Sequence, residues 1–68
     1  MNNWTLLYTT PNHAEASILK GMLEENNIRV VVMNRQDSSY LNFGEIELYV
    51  PPQLKEVAKN LMGTGWMN

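Results

Sequence analysis

Ile28-Arg29-Val30-Val31-Val32-Met33 and Glu45-Ile46-Glu47-Leu48-Tyr49-Val50 are the two stretches whose pairing decides the fold. Both are rich in β-branched and aromatic residues, and the second alternates apolar with polar positions, the period of a half-buried strand. An antiparallel pair with Ile28, Val30 and Val32 opposite Val50, Leu48 and Ile46 puts six apolar side chains on one face. The same register turns Arg29, Val31 and Met33 to the other face, beside Tyr49, Glu47 and Glu45.

Outward from this pair, Trp4-Thr5-Leu6-Leu7-Tyr8-Thr9-Thr10 ends at Pro11 and reads as a first strand. Its inward set is open between two choices: Trp4, Leu6 and Tyr8, or Thr5, Leu7 and Thr9. Tyr8 is expected to face outward. Asn12 followed by Glu15 has the spacing of a capping box. Ala14, Ile18, Leu19, Met22 and Leu23 then recur at helical spacing. Gly21 is costly within a helix, so close packing on the sheet is expected there. Asn26-Asn27 ends the helix, with Asn27 suited to the left-handed conformation. After the third strand, Pro51-Pro52 opens a second helix, where proline is tolerated in the first turn. Its buried stripe is Leu54, Val57, Ala58, Leu61 and Met62, and Gly63 stops it.

The order is strand–helix–strand–strand–helix, with both helices on one face of a three-stranded sheet. That is a two-layer α+β sandwich of ferredoxin-like type lacking its last strand. The crossover rule predicts the third strand in the middle, parallel to the first and antiparallel to the second. For the tail Thr64-Gly65-Trp66-Met67-Asn68 two readings stay open, a loose end or a short edge strand. One domain covers 1–68, with its core at about 4–63 and a tail at 64–68.

At 68 residues the chain has room for one core, and a domain of this size buries roughly 60% of its unfolded surface. Cysteine is absent, so no disulfide or thiolate metal site supplements that core. The first residues lack the pattern of a secretory signal, and the longest apolar stretch, Val30 to Met33, is too short for a membrane span. A cytoplasmic protein is expected. Five basic residues are scattered among seven acidic ones, giving a net charge of −2 and a pI near 5.1. Phosphate neutralisation needs Lys and Arg gathered on one face, so nucleic acid and membrane are not expected partners.

Leu7-Tyr8-Thr9-Thr10, Glu15-Ala16 and the run Leu19 to Ile28 resemble the opening of the prokaryotic signal-transducing family, domain of unknown function family 2007. Gln36 to Tyr40 followed by Phe43 to Val50 is similar to its middle segment. The resemblance reaches to about Leu61. It implies a ferredoxin-like, P-II-like fold, and a signalling role by fold analogy. The sequence has no exposed glycine-rich basic loop of the kind P-II proteins use for nucleotide, so ATP binding is not implied.

Catalytic parts are missing from the sequence. It has no nucleophile–base pair, no phosphate loop and no His–carboxylate constellation. His13 is the sole histidine, poor material for a metal site, and neither a cofactor nor a metal is expected. Lys55 and Lys59, one helical turn apart, read as a solvated face.

Two candidate binding regions remain. The eleven residues Asn34–Gly44 form a long connection for a small domain. Asp37, Ser38 and Ser39 there stand beside the aromatic Tyr40 and Phe43, a mixture that recognition sites use and that turns also use. The second region is the outer sheet face, with Tyr8, Val31, Met33 and Tyr49. A non-enzymatic regulatory or protein-interaction module, acting through the open sheet face and the 34–44 loop as a homodimer, is the expected function. The alternative is a small-ligand sensor with its pocket at that loop or in a dimer cleft. An enzyme subunit or minor nucleic-acid binder is a third reading.

Overall fold

The computed structural model describes residues 3–35 and 45–63, and within them the expected element order is observed. Strand β1 is Thr5–Thr10, helix α1 His13–Glu25, strand β2 Val31–Asn34 and strand β3 Ile46–Val50. A 3-10 turn over Pro52–Leu54 leads into helix α2, Lys55–Gly63. The sheet order is β1-β3-β2, so β3 is central. This is the ferredoxin-like α+β arrangement, with both helices packed on one side.

Strand direction differs from the expectation. β3 runs antiparallel to both neighbours, not parallel to β1. Helix α1 carries the chain back, so β1 and β2 point the same way, and the β2–β3 connection then reverses β3 against both.

The β2–β3 register also differs, by two residues: Val32 lies opposite Leu48 and Asn34 opposite Ile46. A slip of two preserves the faces, because the pleat repeats every two residues. The ladder is closed at one end by the Arg35 N–H donating to the Glu45 carbonyl at 3.0 Å. At the other end the register would set Arg29 opposite Pro51, which has no N–H to offer. Hence β2 begins at Val31 rather than at Ile28.

β1 contains a bulge. Thr5 and Leu6 face Val50 and Tyr49, but Tyr8 already faces Leu48, leaving Leu7 as the extra residue. The bulge reverses the alternation midway, so neither uniform inward set for β1 is correct. Thr5, Tyr8 and Thr10 pair with the buried Val50, Leu48 and Ile46, whereas Leu6 and Thr9 pair with the outward Tyr49 and Glu47. Tyr8 therefore faces the helices, against the expectation that it faces outward.

The core lies between the sheet and the helices. Leu19, Leu23, Leu48, Val50 and Ala58 are fully buried, with Ile28, Ile46 and Met62 nearly so. On α1 the buried positions are Ala16, Leu19 and Leu23, while Ala14 and Ile18 of the expected stripe are exposed. A polar anchor explains this rotation. The Thr10 and Tyr8 hydroxyls both donate to the Glu15 carboxylate, Tyr8 at 3.2 Å, drawing Glu15 toward β1. Glu15 thus does not close a capping box. The Asn12 N–H donates to Thr10 Oγ1 at 3.0 Å instead, while Asn12 Oδ1 accepts from the Ala14 and Glu15 N–H groups.

Helix α1 ends in a Schellman motif. Asn27 has φ 64°, the Ile28 N–H donates to the Leu23 carbonyl, and the Asn27 N–H to that of Glu24. Ile28 and Leu23 also meet in the core, the apolar contact that accompanies this cap. On α2, Ala58 and Met62 are buried, whereas Val57 of the expected stripe is 48% exposed. Gly63 is the last helical residue. Gly21 is exposed with nothing near its Cβ position, so the expected close packing is absent and nothing in the structure explains this glycine.

Candidate functional site: the outer sheet face

Residues that alternate with the buried positions of β3 form the opposite face. Tyr49 is flanked by Leu6 of β1 and Val31 of β2, making an apolar row across all three strands. The next row is Thr9, Glu47 and Met33. Val31, Met33 and Tyr49 are half-buried, and Leu6 is 41% exposed. Both helices pack on the other side, so among the described residues no helix covers these rows.

A carboxylate in the middle of an apolar face would be costly to cover unless its charge were met. Glu47 is met twice. Tyr49 Oη donates to its Oε1 at 2.9 Å, and Arg35 Nε donates to the same oxygen at 3.0 Å. These hydrogen bonds, Tyr49 first and Arg35 second, hold the Glu47 carboxyl below its ordinary pKa. The same pairing raises the Arg35 guanidinium, chiefly through its bond to Glu47. One oxygen of the carboxylate at the centre of the face is thus held by partners from the face itself.

The two ends of the face differ in charge. At one end Arg29 lies over the Trp4 ring, 5.6 Å from its centroid, a cation–π arrangement. An open groove of about 550 Å³ here is lined by Trp4, Glu24 and the run Asn27 to Val31. At the other end stand Glu45 and the Arg35–Glu47 pair. The sequence alone does not assign Trp4 and Leu6 to a face, because a bulge in β1 has no signature in Thr5-Leu6-Leu7-Tyr8.

Of the expected site residues, Val31, Met33 and Tyr49 lie together on this face, and Tyr8 lies on the other. Burial, with the nearby Glu15 charge, raises the Tyr8 phenol above its ordinary pKa. Asp37, Ser38, Ser39, Tyr40 and Phe43 lie outside the described residues, as does the 64–68 tail. Asn34, expected in the loop, belongs to β2. Among the described residues, no three His, Cys, Asp or Glu side chains converge as a metal site would need. No helix there is long and apolar enough to cross a membrane.

A family model described as "putative prokaryotic signal transducing protein", domain of unknown function family 2007, matches residues 4–63. No curated protein and no solved structure matches the chain.

Proposed function

Because the chain belongs to this family, described as signal transducing, we propose that it is a non-enzymatic regulatory module whose outer sheet face pairs with a second copy of itself. The observation that carries this reading is the apolar row Leu6–Tyr49–Val31, continued by Met33, in which the central carboxylate is already neutralised by Arg35 and Tyr49. Such a face loses little on desolvation and gains by being covered.

Charge favours a second copy as the occupant. Turning one face onto another about a two-fold axis lying across the strands brings the Arg29 end of each over the Glu45 end of the other. The contact is isologous and closes at two subunits. Edge-to-edge association is the less suited alternative: β1 is bulged and β2 has four residues, both features that blunt a sheet edge. Recognition of a further partner is assigned, on sequence alone, to Asp37–Phe43.

Sedimentation velocity on the full chain at micromolar concentration tests this reading. A dimer is expected, converted to monomer by Val31→Lys with the circular dichroism spectrum unchanged. A monomer at every concentration for the wild type would overturn it.

A further inference from the structure

On the helix side of the sheet, among the described residues, the packing is incomplete at Val32. Val32 lies opposite Leu48 and shares its face, yet Leu48 is fully buried and Val32 is 36% exposed. The α1 positions bordering this strip are His13, Ser17 and Lys20, one face of the helix at a spacing of four and three. Polar side chains thus look onto an apolar strip where the fold calls for apolar ones. Local departures of this kind from binary patterning concentrate at functional sites. The result is a groove of about 230 Å³ between α1 and β2, whose apolar lining is Ala16, Val32 and Ile46 and which Asn34 also lines.

We infer that this groove binds a small organic anion, its charged head on Lys20 and Ser17 and its short apolar body on Val32 and Ile46. An apolar floor with a few convergent polar groups is the make-up of a small-molecule site, and the volume lies below the roughly 300–1,000 Å³ of drug-sized pockets. The sign of the ligand follows from the lining. Lys20 contributes an ammonium and Ser17 a hydroxyl donor, and among the described residues no carboxylate lines the groove. Lys20 does pair with Glu24 at 3.1 Å, but the two side chains are 43% and 48% exposed. Such a solvated pair is weak enough for a ligand to compete with it. Carboxylates and phosphate monoesters share the required chemistry.

This inference is independent of the sheet-face reading, since the groove lies on the opposite layer. It is tested by titrating the ¹⁵N-labelled full chain with benzoate, phenyl phosphate and the uncharged benzamide, following amide shifts. Saturable shifts centred on Ser17, Lys20 and Val32 are expected with one or both anions, and the stronger anion identifies the head group. Lys20→Met should weaken that binding about tenfold, the loss of one charge-assisted hydrogen bond. Benzamide should bind at least as weakly as the anions bind that variant. The monomeric Val31→Lys variant should keep the anion shifts. Shifts that never saturate, shifts centred elsewhere, equal binding of benzamide, or full affinity in Lys20→Met would each overturn the assignment.

Discussion

Ile46, Leu48 and Val50 alternate with Glu47 and Tyr49 along a single strand, yet the two sets have different fates. The first set is sealed beneath two helices. The second stays half-covered, its one charge neutralised by neighbours on the same face. The strand's alternation alone does not make one face a core and leave the other open. The helices settle that, by packing on one side, and the other side is left apolar but electrically quiet.

The largest test of this contrast is to truncate one residue from each face. Leu48→Ala should cost about 2–5 kcal/mol, since it opens a cavity in the sealed layer. That is most of the stability a domain of this size possesses. Val31→Ala, measured at a concentration where the protein is monomeric, should cost less than about 1 kcal/mol. Denaturant melts read both, and equal losses would mean that the faces do not differ.

The polar anchor on the sealed side is the next largest. Glu15→Ala leaves the buried Thr10 hydroxyl and the Tyr8 hydroxyl without their acceptor, at a cost of about 1–3 kcal/mol. Glu25→Ala, at an exposed position of the same helix, should stay within about 0.5 kcal/mol. If the two variants melt alike, the anchor does not set the rotation of α1.

A smaller effect sharpens the comparison from the helix layer. Gly21 faces solvent with nothing within 4 Å of its Cβ position, so Gly21→Ala should stabilise by up to about 1 kcal/mol. Loss of stability there would reveal a packing role for the glycine.

The smallest effects are in pH dependence, and they separate the faces by sign. Glu47 on the outer face is depressed by Tyr49 and Arg35, so its contribution is present above its ordinary pKa of 4.5. That contribution is lost as pH falls through the depressed value. Tyr8 on the helix side is raised, so its contribution is complete below pH 10 and is lost as pH rises through the elevated value. Glu47→Gln should flatten only the acid limb of the stability profile, and Tyr8→Phe only the alkaline limb.

Local pattern made much of this molecule legible. The alternation in Glu45–Val50 and the breaks at Pro11, Asn26-Asn27 and Pro51-Pro52 place the elements to within a few residues, because period and turn chemistry are written in neighbouring side chains. The outward placement of Val31, Met33 and Tyr49 follows from the same parity and survives the two-residue register difference. The rotation of α1 was not legible. Ile18 fits an apolar stripe as well as Ala16 does, and the choice rests on Glu15 reaching the hydroxyls of another element.

The sequence by itself determined the order of elements, the capping of α1 by Asn12 and Asn27, and which residues of β3 share a face. Each of these depends on interactions within a few residues of chain. Tertiary structure alone decided the two-residue shift in the β2–β3 register, the bulge at Leu7 that turns Tyr8 inward and Leu6 outward, and the uncovered strip at Val32. Those depend on how a helix of fixed length spans the sheet and where it leaves space, quantities that no local run of residues encodes.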